Sequence, residues 1–384
     1  MRILVAPDKF AGTLTAVEAA EAIAEGWNRT APGDEVITVP MADGGPGFVD
    51  VLHSCLRGKL LAATVQGPLG QLLPATFLLV GQTAYIESAQ ACGLALLPVG
   101  PDGHSPVPGV AGRASTFGVG ELIGHALDAG AQRIVVGLGG SGTNDGGAGL
   151  VAALGATSQP THALTGGSDG LAELETVDVL PARARVGSVD LIAACDVDNP
   201  LLGLRGATVG FGPQKGIVTD EAKLAADRAL GHFVELSVGG SAGQTLAGQK
   251  GAGAAGGLGF ALFLLGGRRE PGFTTVADAV GLPGLIADVD VVVTGEGTLD
   301  WQSMNGKVVS RVAALAGAAM RPVIVLAGEV HVGNRELRAN GIEAAYSLVE
   351  MAGAGASWDR PRETLAAVAE RVAKTWSRSA RGRE

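Results

Sequence analysis

The chain has 384 residues, 47% hydrophobic and 17% charged, which is a globular composition with enough apolar content for more than one domain. Its net charge of −10 argues against nucleic acid as a main partner, and no apolar run reaches the roughly 18–20 residues of a membrane span. Cys55, Cys92 and Cys195 are isolated, without metal or redox spacing, so a reducing, cytoplasmic setting is expected.

In chain order, residues 3–6 predict a buried strand stopped by Pro7. Leu14, Val17, Ala20, Ile23, Ala24 and Trp27 then recur at helical spacing, with Thr13 or Thr15 as the cap. Residues 35–39 read as a second strand and 45–56 as a helix, a strand–helix–strand opening typical of a parallel, doubly wound sheet. The pattern changes over 62–66, 75–80 and 84–87, three short strands between Gly/Pro turns that predict an antiparallel meander. Helix is expected over 118–129, strand over 133–137, a long surface loop over 157–178 and a buried strand over 191–194. Helical spacing returns over 220–236, and a glycine cluster at 251–259 opens a helix over 258–265. Strands follow over 290–294, 322–327 and 344–348, and the tail from Arg360 is helical. The three late strands match the first two in character. Five strands are therefore assigned to one doubly wound sheet in a discontinuous domain, residues 1–57 plus 218–384, with a second α/β domain, residues 58–217, inserted into it. The cleft between the two is the expected ligand site.

The segment Gly139-Gly140-Ser141-Gly142-Thr143-Asn144-Asp145-Gly146-Gly147 follows a predicted strand. Consecutive free N–H groups in such a loop can cradle a phosphate, and Asp145 can hold its cation; the alternative is a tight structural connection. Four other acid- or glycine-bearing turns also follow strands: Asp8-Lys9; Asp43-Gly44-Gly45; Asp196-Val197-Asp198; and Gly295-Glu296-Gly297-Thr298-Leu299-Asp300. Ligands of open α/β sheets gather outside those strand ends. Asp196 and Asp198 point the same way if extended, and could share Mg²⁺, supply a base, or simply form an Asx turn. Glu296 and Asp300 would share a face if a helix starts there. Lys215 and Lys307 adjoin glycines, as phosphate-binding lysines often do, and Glu87 ends a strand as either a site residue or a buried acceptor. No His-based triad, zinc pair, Walker A pattern or protein-kinase set is present.

Taken together, Ala6-Pro7-Asp8-Lys9-Phe10, Met41-Ala42-Asp43-Gly44-Gly45, Glu87-Ser88-Ala89-Gln90-Ala91, residues 116–122, 139–147, 194–201, 211–216 and 251–259, and Thr294-Gly295-Glu296-Gly297 resemble the bacterial glycerate kinases with two α/β domains. The resemblance implies a flavodoxin-like domain carrying an inserted domain, and ATP-dependent phosphorylation of D-glycerate to 2- or 3-phosphoglycerate with Mg²⁺. By chemical type and placement, Gly139, Gly140, Ser141, Gly142, Thr143, Asn144, Asp145, Gly295 and Glu296 are assigned to the nucleotide. The glycerate would meet Asp8, Lys9, Asp43, Gly44, Asp300 and Lys307. Asp196, Lys9, Asp43 and Lys215 are the catalytic candidates, and Asp196, Asp198 and Asp145 the metal candidates. A homodimer is compatible with this reading. Ala11, Pro46 and Thr298 stand where the family usually carries lysine, glutamate and arginine, and Lys9 offers a nearby replacement charge. These losses keep open a kinase for a related hydroxy acid, or a non-catalytic ligand sensor on the same fold.

Overall fold

The computed structural model describes residues 1–10, 12–304 and 306–378. Its strands, in chain order, are β1 (Arg2–Val5), β2 (Glu35–Thr38), β3 (Lys59–Gln66), β4 (Leu72–Val80), β5 (Thr83–Glu87), β6 (Arg133–Gly137), β7 (Thr157–Gln159), β8 (Thr176–Asp178), β9 (Asp190–Ala194), β10 (Arg268–Glu270), β11 (Val291–Leu299), β12 (Val323–Val330) and β13 (Ala344–Ser347). They fall into two compact units. One comprises Met1–Asp43, Asp50–Leu56 and the chain from Phe273 onward; the other comprises Gly44–Val49 and Arg57–Gly272.

The first unit carries a five-stranded sheet in the order β13-β12-β11-β1-β2, all neighbours parallel. This is the flavodoxin-like order, and its direction reverses between β1 and β11, the place where such sheets open a crevice. The helix Ala16–Thr30 follows β1 and starts at Thr15, whose side chain accepts from the Glu18 N–H while Glu18 reaches back to Thr15, a reciprocal cap. Its apolar stripe, Ala19, Ile23 and Trp27, packs with Leu365, Val368, Ala369 and Val372 of the helix Pro361–Trp376 and with Ile3, Val5, Val293 and Ile324 of the sheet. Gly26 is needed there because a Cβ would lie 2.0 Å from the Ala366 carbonyl oxygen.

The second unit holds a six-stranded sheet in the order β10-β9-β6-β5-β4-β3, antiparallel from β3 to β5 and parallel beyond. The chain leaves this unit at residue 272, not near 217. Residues 220–272 stay with it for a physical reason. β10 pairs with β9, and Leu230, Phe233, Leu258, Phe260 and Leu262 bury against Val136, Leu150 and Leu191. Residues 157–178 are not a bare loop either: β7 and β8 pair antiparallel around short helical turns, anchored by Leu164, Leu171 and Leu174.

Candidate active site

In the first unit the loop after β1 is pinned to β11. Thr294 Oγ1 donates to the Ala6 carbonyl at 2.7 Å, and Asp8 N donates to the Gly295 carbonyl at 2.8 Å. That places Asp8 and Lys9 beside the end of β11, at the switch point. β11 stays extended through Leu299, so Glu296 and Asp300 do not share a helical face. Strand alternation does what the helix was expected to do: Glu296, Thr298 and Asp300 all line one pocket of about 210 Å³ with Lys9 and Lys307. Asp300 is held in a turn, its Oδ1 accepting from Gln302 N at 2.8 Å and Ser303 N at 3.0 Å. Those bonds hold its carboxyl below the usual range. Lys307 caps the helix Val308–Ala318.

The electrostatics of this pocket are unusual for a surface feature. Among the described residues neither Lys9 nor Lys307 has an ion-pair partner within 4.0 Å. Burial pushes the Asp8 carboxyl up to about 6, against Lys9 and with Asp43. Burial likewise pushes Glu296 up to about 7, with Ser303 and Lys307 opposing. Carboxyls raised by burial beside unpartnered ammonium groups give this pocket charge of both signs in one place. Phe10, Leu348, Val349, Pro361 and Trp358, the last 60% exposed, supply apolar lining to the same pocket. Trp358, on the helix Ala354–Asp359, carried no sequence signal, because nothing local ties that helix to the loop after β1. Ala11 lies outside the described residues, and Thr298 lines the pocket.

In the second unit the glycine-rich loop is less open than its composition suggests. Gly139, Gly142 and Gly146 donate their N–H groups to the carbonyls of Gly44, Cys92 and Gly256, and Gly147 donates to Asp145 Oδ1. The glycines permit close backbone approach: a Cβ on Gly139 would meet Gly45 Cα at 2.4 Å. Gly140, Ser141 and the side chain of Lys215 border a cavity of about 280 Å³ with Val197 and Gln214. Pro46 packs on Gly140. Lys215 is 2% exposed and donates from Nζ to Ser141 Oγ at 3.0 Å and to the Thr143 carbonyl at 2.8 Å; burial lowers its pKa to about 8. Thr143 Oγ1 and Asn144 Oδ1 are buried without a hydrogen-bond partner among the described residues, while Asn144 Nδ2 donates to Thr208.

The three aspartates named for a metal differ in their surroundings. Asp145 is fully buried, and its carboxylate accepts from Thr116 N and Oγ1, Gly147 N and Gly149 N, so it ties the helix Ala148–Ala153 to Thr116. Asp198 is exposed and paired with Lys250 and Arg269. Among the described residues no group of three or more His, Cys, Asp and Glu side chains could hold a metal ion. Asp196 alone, half-buried after β9, still fits a cation delivered by a phosphate, which needs only one or two protein carboxylates. Glu87 resolves as a buried acceptor, taking the N–H groups of Gly47 at 3.0 Å and Val49 at 3.4 Å.

The Glycerate kinase family matches residues 3–377. The chain belongs to this family. It is 41% identical over 354 residues to the glycerate kinase of Bacillus subtilis strain 168, covering 91% of this chain and 90% of that one. It is 37% identical over 358 residues to the glycerate 2-kinase of Escherichia coli K12, covering 92% of each. A solved chain from Salmonella typhimurium LT2, provisionally described as glycerate kinase 2, superposes with a TM-score of 0.79 at 36% identity and 98% coverage of both chains. The glycerate kinases are enzymes of the kinase class, with ATP as phosphate donor and a small molecule as acceptor. No helix among the described residues is long and apolar enough to cross a membrane.

Proposed function

We propose that this glycerate kinase family member transfers the γ-phosphoryl group of ATP to a hydroxyl of D-glycerate, giving 2-phosphoglycerate, the position named for the Escherichia coli relative, with 3-phosphoglycerate as the alternative product. The observation that carries the reading is the pair of unpartnered ammonium groups, Lys9 and Lys307, in a pocket with Glu296, with Asp8 close enough to feel both charges. A hydroxy acid offers that pocket a carboxylate for the cations and a hydroxyl for the carboxylates. Asp43 acts on Asp8. The nucleotide phosphates are assigned to the edge of the second unit's cavity, where Gly140, Ser141 and Lys215 meet. Mg²⁺ would travel with those phosphates, and Asp196 is the carboxylate offered to it; the ion's contribution is to neutralise charge on the transferring group. The protein's own contribution is positioning and electrostatic preorganisation. Three free thiols fit a cytoplasmic setting.

The apolar wall of Leu348, Val349 and Trp358 favours one second reading, a larger hydroxy acid as acceptor. ADP release with ATP, Mg²⁺ and D-glycerate, followed by phosphorus NMR of the product, tests the proposal. Rapid turnover with phosphate on the 2-position is the expected result. Turnover of a longer-chain hydroxy acid at orders of magnitude higher kcat/KM would replace glycerate by that acid.

A further inference from the structure

We propose that Glu296 is the general base that takes the proton from the attacking hydroxyl. The proposal rests on the kinase reading above and names the residue that performs its proton transfer. Glu296 stands near the carboxyl end of β11, at the switch point of the sheet, and lines the pocket that holds Lys9 and Lys307. It is 6% exposed, and its Oε1 is buried with no hydrogen-bond partner among the described residues. A buried carboxylate oxygen without a donor is costly, and native proteins keep few of them. A substrate hydroxyl entering the pocket is the missing donor.

The surroundings suit the task. Burial makes the charged form of Glu296 less favourable, Ser303 and Lys307 oppose it, and Asp8 and Asp300 add to it. Lys9 and Glu329, the latter paired with His331, complete the charged lining. The balance puts the group at about 7, where a base is half available and still basic enough to act. Asp8 is the rival carboxylate. Its Oδ1 already accepts from Lys9 N at 2.7 Å, which leaves it better suited to ordering the loop.

In the step, the acceptor oxygen forms a bond to the γ-phosphorus while the bond from that phosphorus to the β,γ-bridging oxygen breaks. The electron pair leaves with ADP. The hydroxyl proton passes to Glu296 Oε1 and is later released to solvent, so the reaction yields ADP, the phosphate ester and one proton.

The test is the pH profile of kcat/KM for glycerate in the wild type and in Glu296→Gln, Glu296→Asp and Asp8→Asn, each checked for an unchanged melting transition. The wild type should show an acidic limb with a midpoint near about 7. Glu296→Gln should lower kcat by about 10²–10⁴-fold, change KM only a few-fold and abolish the limb. Glu296→Asp should keep the limb at reduced rate, and so should Asp8→Asn. A Glu296→Gln variant within ten-fold of wild type, or a limb lost only in Asp8→Asn, overturns the assignment. A wild type that does not phosphorylate glycerate overturns the substrate reading and the base role with it, a result distinguishable from an active wild type with an active glutamine variant.

Discussion

Lys215 gives the protein a stability that should rise with pH in a range where most proteins lose it. The side chain is 2% exposed, and its Nζ donates to one hydroxyl and one carbonyl, with no carboxylate in ion-pair range among the described residues. Burial therefore disfavours the ammonium and draws its pKa from 10.5 to about 8. Below pH 8 both folded and unfolded chains hold the proton, and the folded state carries the full burial cost. Between about 8 and 10.5 the unfolded chain holds a proton that the native state has shed, so stability climbs by at most about 1.4 kcal/mol per pH unit. Across the window the gain is about 3 kcal/mol, and above it both states are neutral. Lys215→Met removes the titration while keeping an unbranched apolar stem. Urea unfolding of both proteins from about pH 7 to about pH 10.5 gives the difference in stability, wild type minus variant. Cys92, pushed up to about 12 by burial, weakens both proteins alike at high pH and cancels in that difference. The difference should rise by about 2–3 kcal/mol. A flat difference would mean that the ammonium titrates normally and is solvated. A falling one would mean that it is paired with an anion, and either result refutes the reasoning.

Gly147→Ala forces a φ of +75° on a residue with a Cβ and drives that Cβ to 2.3 Å from Ala261 Cβ, so a loss of about 2–4 kcal/mol is expected in chemical denaturation. Gly124→Ala, with open space around it inside the helix Phe117–Asp128, should instead be neutral or gain up to about 1 kcal/mol. Asp145→Asn should cost about 2–4 kcal/mol, because an amide nitrogen would face N–H and hydroxyl donors, whereas Asp198→Ala should change stability by under about 1 kcal/mol. Neither Asp145→Asn nor Asp198→Ala should alter the Mg²⁺ concentration for half-maximal rate; a ten-fold increase in either would restore that aspartate as a metal ligand. Lys9→Met and Lys307→Met should each raise KM for glycerate about 10–150-fold, the loss of a charged hydrogen bond worth about 1.5–3 kcal/mol. An unchanged KM in both would remove the acceptor from that pocket.

Much of this was legible in the sequence because it depends on local pattern. The apolar runs at 3–6, 133–137, 191–194 and 290–294 become strands, and the helical spacing from Leu14 to Trp27 becomes a helix capped by Thr15, since period and capping chemistry are short-range. The placement of Asp8, Lys9 and Glu296 at strand ends also followed, because parallel sheets put their ligand loops there.

The sequence by itself determined which residues were polar, flexible or charged enough to serve a site, and which family they came from. Tertiary structure decided which of them were already committed elsewhere. The glycine loop and Asp145 looked like a phosphate and metal cradle, yet several of their donors and acceptors are taken up by neighbouring backbone, at Gly44, Cys92, Thr116 and Gly256, because the segments pack with almost no space between backbones. Lys9 lies nearly 300 residues before Glu296 and Lys307, yet shares one pocket with them because β1 pairs with β11. No local pattern records a strand pairing of that separation, since its stability comes from the core that both strands help to bury.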